Sequence, residues 1–204
     1  MSLLDEIGEF QGDTLYVAGH PLKDGEEESL PAKTVIRVSR VSFKDASAKV
    51  PHATFRVDGE ILASEADAHS GQLGFTATVQ LNFNYPESDL PKMRQMLAIM
   101  SVSAGIRKSF QEAMASFPKA VRAPGMSDAA FKAEKDRCAK VAKDFTLELV
   151  GEGQPLTGAL VTVVATTALT KKARKPFTKQ AIALPTEADL VKAGLIPAGT
   201  SVAA

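Results

Sequence analysis

The chain has 204 residues, a length that suits one domain or two small lobes packed together. Its 24 lysines and arginines balance 24 aspartates and glutamates, which argues against a polybasic protein although not against a local basic surface. The single cysteine, Cys138, excludes an internal disulfide, and three scattered histidines have no metal-ligand spacing. The apolar runs are too short to cross a bilayer, and the first residues do not read as a signal peptide. We therefore expect a cytoplasmic protein with no membrane partner, no metal and no cofactor.

Composition and pattern divide the chain into three segments. Residues 1–32 are expected to form a lead-in whose acidic stretch, Asp24 to Ser29, is a surface loop. The alternative is an acidic strip that contacts a partner or the protein's own basic surface. Residues 33–184 are expected to form the main domain, with a helical insertion at 88–144. Residues 185–204 are expected to form a tail with one short helix, Glu187 to Gly194.

Three predicted strands open the main domain: Thr34 to Phe43, His52 to Leu62, and Leu73 to Tyr85. In the first, the apolar phase moves from Ile36 and Val38 to Val41 and Phe43. A regular strand cannot change phase because its side chains alternate between faces. The sequence therefore predicts a β-bulge near Ser39 and Arg40.

The predicted insertion contains three helices. Ser88 or Asp89 is the expected cap of the first, which buries a methionine-rich stripe as core. Apolar residues at helical spacing from Ile106 to Phe117 predict the second helix. Ser127 caps the third, whose apolar positions are predicted to be Phe131, Cys138, Val141 and Ala142.

The chain is then expected to return to β structure at Phe145 to Val150, Leu160 to Leu169 and Phe177 to Leu184. The order contains no βαβ alternation, which disfavours a parallel sheet. We therefore predict a mainly β, α+β protein. Its core would be a five-stranded antiparallel OB-fold barrel with helices between strands three and four.

An enzyme is not expected, since the sequence has no nucleophile elbow, metalloprotease motif, P-loop or dinucleotide fingerprint. The glycines from Gly151 to Gly158 precede a strand and are interpreted as a turn. Asp58 and Glu60 share the polar side of one strand, which is typical of a solvent-facing pair. Cys138 lies at an apolar helix position and is expected to be unreactive.

Positive charge is concentrated in two predicted β segments. Residues 33–49 hold five basic side chains against one acid, and residues 171–179 hold five with no acid. The second group lies in the predicted hairpin between the last two strands, and loops in that region of an OB-fold flank the ligand groove. Phe43 and Phe177 accompany the two groups. A protein that binds single-stranded nucleic acid needs cations to contact the phosphates and aromatic rings on which the bases stack. The alternative is an ordinary basic surface with Phe177 in the core.

Several segments together carry a resemblance: Val35-Ile36-Arg37-Val38 to Phe43-Lys44, Thr54-Phe55-Arg56-Val57, Asp89 to Gly105, Gln154-Pro155-Leu156-Thr157-Gly158, Val161 to Ala165, and Thr170-Lys171-Lys172 to Lys175-Pro176-Phe177-Thr178. In this order they resemble the phage-encoded OB-fold single-stranded DNA-binding proteins of replication and recombination modules. The chain departs from well-known members in having no Trp and no acidic C-terminal tail. Recruitment of partners through such a tail is therefore not expected.

The sequence thus predicts a non-enzymatic, sequence-tolerant single-stranded DNA-binding protein that protects exposed strands during phage replication or recombination. Its partners would be single-stranded DNA, replication or recombination proteins, and possible further copies of itself. The predicted phosphate and stacking residues are Arg37, Arg40, Phe43, Lys44, Arg56, Lys171, Lys172, Arg174, Lys175, Phe177 and Lys179. The alternative is a structural or adaptor protein on a β-barrel, with the helical insertion as its interface.

Overall fold

The computed structural model describes residues 32–48, 51–65, 73–74, 76–84, 86–169 and 176–197. Within these ranges five strands pair antiparallel in the order β3-β2-β1-β4-β5. This confirms a mixed α+β protein with a five-stranded antiparallel sheet. In the described residues β3 and β5 form the two edges, so the sheet is open. The strands are β1 Ala32–Lys44, β2 Thr54–Ser64, β3 Thr76–Asn82, β4 Leu160–Leu169 and β5 Pro176–Ala183.

The predicted bulge in β1 is confirmed. Its register against β2 shifts between Val38 and Arg40, and the side chains on both sides of the shift, Val38 and Val41, are buried. A second shift, between Val35 and Ile36, was not predicted; there the extra residue, Leu62, lies in β2, because Val35 pairs with Ala63 and Ile36 with Ile61. The bulge at Ser39 resets which residues of β1 face the core, so Val38 before it and Val41 after it are both buried.

Between β3 and β4 the described chain forms helices α1 Pro86–Ser103, α2 Phe110–Ala115 and α3 Asp128–Val150. Helix α1 begins earlier than the predicted caps at Ser88 or Asp89. Helix α2 is shorter than the predicted run, and Ser109 caps it by accepting a hydrogen bond from the Glu112 N–H. The Ser127 cap of α3 is confirmed, since its hydroxyl accepts from the Ala130 N–H at 3.2 Å.

The core lies between the inner face of the sheet and α1. Helix α1 contacts β3, β4, β5, α2 and α3. The predicted methionine stripe is core, with Met93, Met96 and Met100 almost fully excluded from solvent. From the sheet, Phe55 and Leu81 are equally buried. Burial of large apolar side chains from both layers is the main stabilising contribution to this arrangement.

Helix α1 also buries charged side chains. Lys92 Nζ lies 2.8 Å from Asp89 Oδ1, one turn away, and these side chains are 4% and 7% exposed. Burial lowers the pKa of the Arg94 guanidinium to about 10, so it stays protonated at neutral pH. Its Cζ lies 5.7 Å from the centre of the Phe117 ring, a favourable cation–π arrangement.

The predicted strand at Phe145 to Val150 is wrong, because α3 continues through Val150. Phe145 and Leu149 are one helical turn apart and both buried. The hydroxyl of Thr146, a residue type that favours strands, donates to the Ala142 carbonyl at 2.8 Å and is satisfied within the helix. Val141, predicted on the buried face, is 40% exposed.

The glycine-rich segment after α3 is a turn, as predicted, and it docks against the β1 bulge. The Val41 N–H donates to Gln154 Oε1 at 2.9 Å, and the Val38 N–H donates to the Ala159 carbonyl at 2.8 Å. Gln154 adopts the left-handed backbone conformation, with φ 44°. The turn therefore satisfies backbone groups of β1 beyond Arg37 and Leu160, the last pair of the β1–β4 ladder.

Helix α4, Glu187–Lys192, is anchored to β4 through one buried carboxylate. The Thr162 hydroxyl and the Thr186 N–H donate to Asp189 Oδ2 at 3.1 and 2.9 Å. Burial raises the pKa of Asp189, but the hydrogen bonds from Thr186 and Thr162 and the charge of Lys33 outweigh burial, and the pKa is lowered. The carboxylate is therefore ionised at neutral pH. The predicted helix beginning at Glu187 is confirmed.

Gly59 is expected to tolerate no side chain. A Cβ there would lie 2.9 Å from the Arg37 carbonyl oxygen and 3.0 Å from Ile36 Cδ1. Gly59→Ala should therefore lower the free energy of unfolding by about 1–3 kcal/mol, measured by urea denaturation. Gly153→Ala is the matched control, because a Cβ there meets nothing within 4 Å. Equal stability of both variants would contradict the close approach of β1 and β2.

Candidate nucleic-acid interface

The side chains of β1, β2 and β3 that point away from the core form a polar surface, here called the outer face. Strand register places them in rows across the three strands. Because the strands are about 4.8 Å apart, each row brings its members within side-chain reach. The three rows near the C-terminal end of β1 are Arg40, Asp58 and Thr78; Ser42, Arg56 and Gln80; and Lys44, Thr54 and Asn82.

A hydrogen-bonded cluster occupies the centre of the outer face. Arg56 Nε donates to both carboxylate oxygens of Asp58, at 2.8 Å to Oδ1 and 3.1 Å to Oδ2. The Thr78 hydroxyl donates to Asp58 Oδ1 at 2.6 Å, and Arg56 Nη2 donates to Thr78 Oγ1 at 3.3 Å. These contacts hold the Asp58 carboxylate, which is 16% exposed, in one orientation. The Arg56 charge is compensated within the sheet.

The four predicted cations of this region differ in how they are compensated. Arg37 Nη1 pairs with Glu60 Oε2 at 3.2 Å across the β1–β2 ladder, and Arg56 pairs with Asp58. Arg40 and Lys44 are exposed and form no ion pair with another described residue. Among the described residues, no carboxylate has to be displaced when a phosphate approaches Arg40 or Lys44. These two side chains are therefore the anion-binding candidates on the described part of the outer face.

A cavity of about 420 Å³ opens on the outer face beside the loop that joins β1 to β2. It brings together three of the predicted site residues, Arg40, Lys44 and Arg56. Its other lining residues are polar, so the cavity offers charge and hydrogen bonds rather than an apolar surface. They are Ser42, Asp45, Ser47, His52, Thr54, Asp58 and Gln80.

Phe43, a predicted stacking residue, points inward. Its ring is half-buried and packs against the core, with the centre 5.7 Å from that of Phe83 in an edge-to-face arrangement. The side chains next to it in β1, Ser42 and Lys44, point to the opposite face. In this conformation the Phe43 ring does not face the cavity, so we do not assign it a role in binding bases.

The second predicted cationic group lies mostly outside the described residues. Lys171, Lys172, Arg174 and Lys175 fall in the undescribed connection between β4 and β5. Phe177 and Lys179 are placed only by their backbone, opposite Ala168 and Thr166 in the β4–β5 ladder. Ala32 pairs with Ala165, so β4 ends beyond the N-terminal end of β1, away from Lys44. That both cationic groups contact one nucleic-acid strand stays a prediction.

Several polar residues of the cavity were not predicted as site residues. Asp58 was interpreted as part of a solvent-facing pair, and Thr54 and Gln80 only as the polar side of a strand. Strand alternation places all three on the same face as Arg56. These residues could have been found by pairing the second and third predicted strands. Each strand has one polar face, and pairing places the two polar faces side by side.

Elsewhere in the described structure, the cysteine lies on α3 beside a salt bridge. Cys138 is fully buried, and burial together with a hydrogen bond to Glu134 raises the pKa of its thiol. Arg137 binds the Glu134 carboxylate through two nitrogens, at 2.7 and 2.8 Å. In the ranges the structure describes, no three His, Cys, Asp or Glu side chains are grouped to hold a metal ion. None of the helices there is long and apolar enough to cross a membrane.

The comparisons with known proteins give no assignment. No protein-family model matches the chain, and no curated protein sequence matches it. The function therefore has to be argued from the sheet and its outer face.

Proposed function

We propose that this protein binds single-stranded DNA across the outer face, with Arg40 and Lys44 as the described phosphate contacts. The proposal rests on one observation: both cations are exposed, have no ion pair among the described residues, and line one polar cavity. Exposed cations beside an open groove attract a polyanion and release its counterions. The biological role would be protection of unpaired strands during replication or recombination.

We further propose that the sheet closes into an OB-fold barrel by the approach of β3 and β5. Antiparallel pairing in the order β3-β2-β1-β4-β5 makes these two edge strands run in the same direction, and both contact α1. In an OB-fold, oligonucleotides bind over strands 2 and 3, between the loop that follows strand 1 and the loop that follows strand 4. The cavity lies over β2 and beside the first of these loops, and the lysine-rich segment 171–175 is the second.

Fluorescence anisotropy with labelled single-stranded and duplex oligonucleotides of equal length tests the proposal. We expect tighter binding of the single strand. If about five phosphates are contacted, including those held by segment 171–175, log affinity should fall against log salt with a slope of roughly −3.5. Affinity that does not change with salt would contradict the phosphate mechanism. Stable homomeric assemblies on size exclusion, without any DNA binding, would favour the adaptor alternative.

A further inference from the structure

We propose that the cavity on the outer face is a base-reading pocket, in which Asp58 and Arg56 select an unpaired base that carries an amino group beside a ring-nitrogen acceptor. Cytosine and adenine have this edge; thymine, uracil and hypoxanthine do not. The inference rests on the proposed function, because it requires a single strand to cross the outer face.

The first argument is that the described strand side chains of the outer face include no aromatic ring; the ring that lines the cavity is the imidazole of His52, in the loop between β1 and β2. Phe43, Phe55 and Phe83 all face or pack against the core. Binding that does not depend on sequence uses rings on which any base can stack. On this face a base meets hydroxyl, amide, carboxylate and guanidinium groups instead. Contacts to such groups depend on which donors and acceptors the base presents.

The second argument is the arrangement of Asp58 and Arg56 within the cavity. Asp58 Oδ1 accepts from both Arg56 and Thr78, whereas Oδ2, among the described residues, accepts only the longer bond from Arg56 Nε. Arg56 Nη1 has no hydrogen bond to a described residue, and the Arg56 side chain is 49% exposed. The two side chains therefore offer an acceptor and donors within one cavity. Both side chains are held in place by their bonds to each other and to Thr78.

The third argument is complementarity with the base edge. Cytosine places its N4 amino donor beside the N3 acceptor, and adenine places N6 beside N1, so the carboxylate can accept while the guanidinium donates. Uracil, thymine and hypoxanthine present a carbonyl oxygen and a ring N–H at the same positions. In the orientation that suits cytosine, that order sets an oxygen against the Asp58 carboxylate. Such a base has to turn over or shift along its edge before its ring N–H can reach the acceptor.

The test compares bases that differ only in this edge. Anisotropy is measured with short oligo-dC against oligo-dU, and oligo-dA against oligo-deoxyinosine, at one salt concentration and at a mildly alkaline pH that keeps cytosine tracts single-stranded. We expect the amino-bearing member of each pair to bind roughly tenfold more tightly. Equal binding within both pairs would overturn the base-reading pocket and leave the proposed function standing. No binding of any oligonucleotide would overturn both.

Asp58→Asn assigns the preference to this pocket. The amide keeps the size of the carboxylate but can donate to a carbonyl oxygen, so the preference for cytosine over uracil should fall to about onefold. Glu60→Gln is the matched control: it removes an acid from the same face of the same strand, and Glu60 does not line the cavity. It should keep the full preference. A preference retained in Asp58→Asn would overturn the assignment; if that variant does not fold, the wild-type comparison decides alone.

Discussion

Replacing Arg40 and Lys44 together by glutamine is expected to weaken binding of single-stranded DNA by about twentyfold at about 0.1 M salt. On a single strand each phosphate contact contributes about 0.7 to the slope of log affinity against log salt, so the slope should become shallower by about 1.4. The reason is that these two cations are the exposed, uncompensated ones that line the cavity. Anisotropy titrations at several salt concentrations measure both quantities.

The control for that experiment has to change the net charge equally. Lys132 and Lys140 are exposed on α3 and do not line the cavity, so Lys132→Gln combined with Lys140→Gln serves. This control should keep the wild-type slope. If both double variants change the slope alike, binding depends on overall charge and the outer face is not the site.

Lys92→Met is expected to lower the free energy of unfolding by about 3–5 kcal/mol, a large part of the stability of a typical domain. Lys92 Nζ lies 2.8 Å from Asp89 Oδ1, with both side chains buried in α1. Methionine keeps the hydrocarbon stem but removes the cation from beside a buried carboxylate. Urea denaturation followed by circular dichroism measures the change.

A double variant separates the ion pair from packing. Asp89→Asn combined with Lys92→Met removes both charges and should recover much of the lost stability, because the single variant leaves the buried Asp89 carboxylate without its Lys92 partner. Lys132→Met, at an exposed position of α3, should stay within about 0.5 kcal/mol of the wild type. A Lys92→Met variant as stable as this control would contradict the contribution assigned to the pair.

Local sequence pattern predicted the sheet better than the helices. The change of apolar phase from Val38 to Val41 indicated the β1 bulge. Residues three positions apart lie on opposite faces of a regular strand, so both can face the core only if one residue is inserted between them. The same kind of local information failed at Phe145 to Val150. Thr146 and the aromatic Phe145 favour a strand, but packing of Phe145 and Leu149 on one helix face outweighs that preference.

The candidate site was predicted only as a set of charges. Which cations are compensated depends on the register between strands, which places Glu60 opposite Arg37 and sets Asp58 next to Arg56 and Thr78. No local pattern contains that register. The inward position of Phe43 could have been predicted, since it shares its strand face with the buried Val41. Its place beside a basic stretch favoured the stacking interpretation instead.

The docking of the Gln154 turn on β1 has a consequence for synthesis of the chain. The Val41 N–H donates its hydrogen bond to a residue 113 positions later, and β1 gains its second neighbour, β4, at the same stage. As the chain leaves the ribosome, β1, β2 and β3 therefore emerge long before one side of β1 can be covered. An uncovered strand is a template for pairing with another nascent chain. The helices that separate β3 from β4 thus set how long this side of β1 stays uncovered during synthesis.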